Sequence, residues 1–277
     1  MKKVFSAVLA ATMMLGLVAC GGSKTEAPAE AAQTSAAEST AESTATTDDA
    51  ATLTTVADGV LTMSTNAAFP PYEMTTDDGG FEGIDVEIAG AIAEKLGLEL
   101  KVDDMGFDAA LLAAQQGKSD IVMAGVSVTD DRLAVMDFSN SYAEATQVII
   151  VTEGSEVTLD NLGDHMIGTQ VATTGNIYCT DDYGEDHVIA YDNGAIAVQA
   201  LQNGQVDCVV IDSAPAKAFV EANAGLTILE TEYVTEQYAI GMAKGNTALV
   251  DAINAALEEL TADGTIQSII DKYITAE

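Results

Sequence analysis

The chain carries a single arginine, Arg132, and every other basic side chain is a lysine. A guanidinium is planar and always charged, and it grips a carboxylate through two parallel hydrogen bonds that an ammonium cannot match. Its setting is unusual for that charge. Asp120–Ile121–Val122–Met123–Ala124 reads as a short buried strand, Gly125 to Ser127 as the loop at its carboxyl end, and Thr129 as a helix N-cap. Asp130 and Asp131 suit the positive end of that helix, whereas Arg132 in the first turn works against the dipole. A surface pair with Asp130 or Asp131 is the plainer alternative, so the arginine needs partners before it means anything.

Two further stretches supply them. The turn Ala172–Thr173–Thr174–Gly175 opens a helix, where free N–H groups and the dipole favour an anion. Asp212 ends the apolar run Cys208–Ile211, with Pro215 inside the first turn of the next helix. If these meet, Arg132 and the turn take a carboxylate and Asp212 takes an ammonium, which together describe a zwitterion. Charge-assisted hydrogen bonds contribute about 1.5–3 kcal/mol each, enough in sum for the roughly −8 kcal/mol of micromolar binding. Phe69 and Phe107, both expected on loops, could enclose the ligand's carbon skeleton. Core packing for the phenylalanines and helix capping for Asp212 are the competing uses.

Catalytic chemistry finds less support. His165 and His187 are the only histidines, and neither belongs to a nucleophile or metal-ligand spacing. Gly79–Gly80–Phe81–Glu82–Gly83 lacks the spacing and context of a nucleotide-binding loop. Asp77–Asp78, Asp103–Asp104 and Asp181–Asp182 read as solvated turns rather than calcium ligands. No cofactor and no metal is expected.

The elements that must position these residues alternate. Strand Leu61–Ser64, a loop over Asn66–Tyr72, a helix capped by Asp85 and stopped by Gly97, strand Leu98–Val102 and a helix after Phe107 that stops at Gly117 form one α/β unit. A strand at Val148–Val151 follows. A second unit begins at Ile167, with strands to Val171, at Val188–Tyr191 and at Cys208–Ile211, and a helix from Asn193 to Asn203. Tyr238–Met242 is extended, and two amphipathic helices close the chain. The units echo each other: Ala113 to Ile121 aligns with Ala200 to Cys208, each a helix end, a Gly stop, an Asp and a buried strand. Counting on equally from Gly117 and Gly204 brings Gly125 opposite Asp212. Open α/β sheets bind ligands at the carboxyl ends of their strands, so a ligand would lie between two facing units.

With 277 residues, 48% apolar and 19% charged, the chain has the composition of a globular protein of two modest lobes. A net charge of −34 argues against nucleic acid and against anionic membrane surfaces. Residues 1–20 read as a processing segment, two lysines and an apolar run ending in Leu17–Val18–Ala19–Cys20. That end resembles the lipobox of bacterial lipoproteins, in which cleavage leaves Cys20 lipid-modified as a membrane tether. Residues 21–52, without an aromatic residue or an apolar period and rich in Ala, Ser, Thr and Glu, read as a disordered acidic linker. Cys179 and Cys208 remain, either as a disulfide or as two buried thiols.

Taken together, Phe69–Pro70–Pro71–Tyr72, Gly83–Ile84–Asp85–Val86, Ala113 to Arg132, Asp137–Phe138–Ser139, the Thr173–Thr174–Gly175 turn, Val206 to Asp212 and Asp263–Gly264–Thr265 resemble bacterial extracellular solute-binding proteins of family 3. The resemblance runs from about Leu61 to Tyr273. It implies an α/β, two-lobe, type II periplasmic-binding-protein-like fold with two hinge strands, lobe 1 being 53–143 plus 238–277 and lobe 2 being 144–237. It also implies roles: Arg132 and the N–H of Thr174 for the ligand's α-carboxylate, Gly125 and Ser127 beside them, Asp212 for the α-ammonium, and Phe69 and Phe107 as a sandwich. Ala172 stands where the family usually has glycine. The function implied is that of a monomeric extracytoplasmic lipoprotein, held on the outer face of the cell membrane, that gives a polar L-amino acid to an ABC transporter permease. A ligand-sensing module is one alternative. A cyclohexadienyl-dehydratase-like enzyme is another, disfavoured because no histidine and no spare carboxylate is evident for the cleft.

Overall fold

The structure is a computed structural model that describes residues 53–229 and 232–274. Residues 1–52, with the expected leader, Cys20 and the acidic linker, lie outside the described residues.

The chain starts with β1 (Val60–Thr65), then folds a small antiparallel sheet from β2 (Ala68–Phe69), β3 (Glu73–Thr75) and β4 (Phe81–Glu82). The Pro70–Pro71 peptide between β2 and β3 is cis. Helix α1 (Ile84–Leu96) buries Ile84, Ile88, Ala89, Ile92 and Ala93, a stripe at helical spacing, and ends where Gly97 turns left-handed at φ 69°. β5 (Glu99–Asp104), α2 (Phe107–Gln115), β6 (Ile121–Val122) and the short α3 (Asp130–Val135) complete this part. β1 lies between β5 and β6 and is parallel to both. Leu61 to Thr65 are buried without a break, as befits a parallel strand covered on both faces.

The strand expected only at Val148–Val151 is a 17-residue element, β7 (Met136–Thr152). Its first half buries only every third residue, Met136, Ser139 and Tyr142, and no continuous apolar run marks it. After the 3-10 turn Leu159–Asp164 come β8 (Ile167–Gln170), α4 (Thr174–Tyr183), β9 (Val188–Tyr191), α5 (Gly194–Gln202), β10 (Cys208–Asp212), α6 (Ser213–Ala222) and β11 (Leu226–Ile228). β10, β8 and β9 run parallel, which repeats the arrangement around β1. β12 (Val234–Ala243) then returns antiparallel to β7, with register shifts between Tyr238 and Gly241. The sheet order β5-β1-β6-β12-β7-β10-β8-β9 therefore reads as two parallel halves with the long β7/β12 pair between them. Helices α7 (Thr247–Ala262) and α8 (Thr265–Tyr273) cover the first half. Their buried Leu249, Ile253, Leu257, Leu260, Ile266 and Ile269 share a core with the α1 stripe.

Three local expectations need correction. Asp85 does not cap α1, whose N-cap is Gly83; its carboxylate accepts from the N–H of Gly125 at 2.9 Å and the hydroxyl of Tyr142 at 2.8 Å. Phe107 is not on a loop but is the first residue of α2. Cys179 and Cys208 form no disulfide and are two free, buried thiols in one apolar cluster with Ile149, Leu162 and Val210. Burial pushes both thiols up to about 12, so at neutral pH they behave as small hydrophobic groups.

Candidate functional site

Arg132 turns inward. Thr129 caps α3 by accepting from the N–H of Arg132, and the side chain reaches back over the helix start. There Nη1 donates to the carbonyl of Ser127 at 2.8 Å and Nη2 to that of Ala172 at 3.0 Å, rather than to Asp130 or Asp131. The Phe107 ring lies 5.5 Å from the guanidinium carbon, a cation–π contact. Arg132 is buried, which lowers its pKa, and the negative charges of Glu236 and Asp212 oppose that effect. Arg132 lines a cavity between the two halves of the sheet.

The space between the lining side chains is about 310 Å³, open solvent at the mouth included. Its lining brings together all seven residues expected to bind: Phe69, Phe107, Gly125, Ser127, Arg132, Thr174 and Asp212. The two loops matched by counting from Gly117 and Gly204 do meet at one site. Gly125 has φ 55°, and a Cβ there would stand 2.8 Å from the Phe69 ring and 3.1 Å from Tyr238, so the position excludes a side chain.

Opposite Arg132, Thr173 caps α4 by accepting from the N–H of Asn176, and Thr174 is the first helical residue. The N–H of a first helical residue has no acceptor within its helix. The Thr174 hydroxyl donates to Glu236 Oε2 at 2.8 Å, and Gln147 Nε2 donates to the same oxygen at 2.9 Å. Both hinge strands thus fix the helix start, since Gln147 lies on β7 and Glu236 on β12. Ala172, just before, has φ 63°, the left-handed region in which an L side chain is strained. The carbonyl of this strained residue is the one that accepts from Arg132 Nη2.

Asp212 occupies the N-cap position of α6 but makes no capping hydrogen bond. Its carboxylate instead accepts from the Tyr238 hydroxyl at 2.5 Å. Burial pushes its pKa up to about 7; Glu236 raises it further, while Tyr238 and Gln147 hold it down. Such a carboxyl is poised to give up its proton when a cation arrives.

Sequence reasoning missed Glu73, Asn66 and Gln170 in the lining. Gln170 Nε2 donates to Asn66 Oδ1 at 2.9 Å and so ties the two halves across the cavity. Glu73 on β3 is fully buried and shares a side-chain hydrogen bond with the buried Asp85. Burial first, then the neighbouring charges of Asp85, Asp104 and Asp212, hold its pKa well above the usual carboxylate range. The expectation that the cleft offers no spare carboxylate is therefore wrong. With 44 acidic residues in the chain, no local pattern marks this one; only the tertiary fold buries it.

A two-lobed α/β body with a cleft crossed by paired strands is the architecture of solute-binding receptors. Over residues 61–276 the chain matches the model of the bacterial extracellular solute-binding proteins, family 3, and it belongs to that family. Among curated relatives, a probable histidine-binding protein of Neisseria gonorrhoeae is 32% identical over 100% of this chain and 97% of its own length. The L-cystine-binding protein TcyJ of Escherichia coli K12 is 27% identical over 79% of this chain and 84% of its own. Among solved structures, an ancestral arginine-binding protein bound to arginine superimposes with a TM-score of 0.73 at 39% identity, covering 78% of this chain and 98% of that one.

Proposed function

We propose that the chain is the extracytoplasmic substrate-binding lipoprotein of an ABC importer, tethered through Cys20, which closes on a polar L-amino acid and presents it to the permease. The moving bodies are 53–143 with 238–277, and 144–237. In this reading Arg132 and the Thr174 N–H hold the α-carboxylate, with Gly125 and Ser127 beside them. Asp212 holds the α-ammonium, and Phe69 and Phe107 flank the skeleton. One observation carries it: a cation and a buried acid from opposite halves of the sheet line one small cavity with the open start of a helix. A ligand touching both halves stabilises the closed state over the open one by its differential contacts. The histidine, cystine and arginine named for the relatives fit the polar class.

Calorimetry tests this reading. R132A is expected to weaken every L-amino acid that binds the unaltered chain by at least about a hundredfold, the loss of two charge-assisted hydrogen bonds. Retained affinity overturns the assignment. Because Glu73 could serve as an acid, turnover of prephenate or arogenate should be assayed as well; product formation would favour the dehydratase reading.

A further inference from the structure

We propose that Glu236, buried on β12 and hydrogen-bonded to the start of α4, is the resident counter-ion of Arg132, and that its charge opposes the ligand's carboxylate and ties amino-acid binding to the loss of a proton. This rests on the reading above and adds to it a residue outside the cavity lining.

The geometry places Glu236 at the carboxylate end of the cleft. Its Oε2 accepts from the Thr174 hydroxyl at 2.8 Å and from Gln147 Nε2 at 2.9 Å. Tyr178, one turn further along α4, shares another hydrogen bond with the same carboxylate. An anion at a helix start is favourable in itself, so Glu236 already uses part of the positive potential that a ligand's carboxylate would meet there. Arg132, for its part, hydrogen-bonds two neutral carbonyls, those of Ser127 and Ala172. Burial opposes the arginine's charge, and the acid that does most to support it is Glu236, ahead of Asp212.

A count of charges shows the consequence. With Asp212 protonated, Arg132 and Glu236 leave this group of three neutral. A zwitterion brings no net charge, but its ammonium calls for an ionised Asp212, and the group then holds one negative charge in excess. Like charges repel more strongly in a buried site than in water. Glu236 thus adds to the larger effect of burial in keeping Asp212 protonated, while Tyr238 and Gln147 act the other way. The other titratable groups that meet Asp212 are Arg132 on α3, Tyr72 before β3 and Glu73 on β3. A receptor that delivers its ligand must also release it, and a resident anion keeps Arg132 from meeting the carboxylate as an unbalanced cation.

The experiment is titration calorimetry of the unaltered chain and of E236Q with L-arginine and L-glutamine, whose side chains do not titrate between pH 5.5 and 8.5, in buffers of different ionisation enthalpy. Glutamine at this position keeps an oxygen for the Thr174 hydroxyl and removes the charge. E236Q should bind each amino acid that the unaltered chain binds about tenfold more tightly at pH 5.5, the equivalent of one pKa unit at Asp212. The gain should be smaller at pH 8.5, where Asp212 is ionised in both proteins, and at pH 7 the variant should release fewer protons on binding. E236M, similar in volume and uncharged, should shift the pH dependence in the same direction and carries the test if E236Q does not fold. Unchanged or weaker binding by folded E236Q at pH 5.5, or in either variant a difference that does not vary with pH, overturns the inference and leaves the receptor reading standing. If neither of these nor any other of the twenty amino acids binds the unaltered chain, both fall.

Discussion

Replacing Asp212 by asparagine should stabilise the empty protein while destroying its proposed function, and the gain should depend on pH in a fixed way. Asp212 is buried and its pKa is raised from 3.8 to about 7. The unfolded chain therefore ionises this group near pH 4, whereas the folded chain resists ionisation until about pH 7. Between those values folding is opposed by an amount that grows with pH, and above about 7 the full opposition is present. A shift of about 3 units at 1.36 kcal/mol each corresponds to roughly 4 kcal/mol. Asparagine keeps an oxygen for the Tyr238 hydroxyl and removes the charge. At pH 4 the variant and parent should melt within about 2 °C of each other, because the folded Asp212 is neutral and the unfolded one only about half ionised there. At pH 8 the variant should melt higher by about 8–16 °C, taking 2–4 °C per kcal/mol for a body of this size. Scanning calorimetry without ligand, at pH 4, 6 and 8, measures this directly. A pH-independent difference, or a D212N chain less stable at pH 8, would refute the claim that an uncompensated buried charge sits at this position. The same variant should lose amino-acid binding, since the acid that opposes folding is the one proposed to meet the ammonium.

Two further outcomes follow from the backbone and the thiols. A172G should raise the unfolding free energy by about 0.5–1 kcal/mol, the relief of a left-handed alanine less the added freedom of glycine in the unfolded chain; denaturant melts that show destabilisation would contradict the strain assigned to φ 63°. In a C20S chain, Cys179 and Cys208 should resist a thiol reagent while folded and both react promptly in denaturant without reductant. Thiols that stay silent in denaturant would mean that they are bridged after all.

Much of the site could be read from residue type and spacing. Arg132 stood out as the only arginine, placed against its own helix dipole, and Asp212 by its position at the end of an apolar strand. The echo around Gly117 and Gly204 set their loops opposite each other because equivalent connections in two like units end at equivalent places. What could not be read was everything decided by tertiary burial. Glu73 follows Tyr72 in a stretch that looks like one more polar turn, and the sequence holds nothing to separate it from the solvated acids around it. Asp85 carried the signature of a helix cap, but its carboxylate serves a loop 40 residues away. β7 was recognised only over its apolar end, since its earlier part is buried only at every third position and has no continuous hydrophobic run.

The irregular register of β12 has a mechanical meaning. β7 and β12 hydrogen-bond to each other along most of their length, so neither half of the molecule can swivel on one strand alone. Bending is easiest where the ladder is already broken, between Tyr238 and Gly241. Tyr238 also grips Asp212 through its hydroxyl. A flex at that break would therefore tug on the acid directly, so in the proposed receptor the pivot and the acid proposed for the ammonium would be parts of one lever, with no relay of intermediate side chains between them.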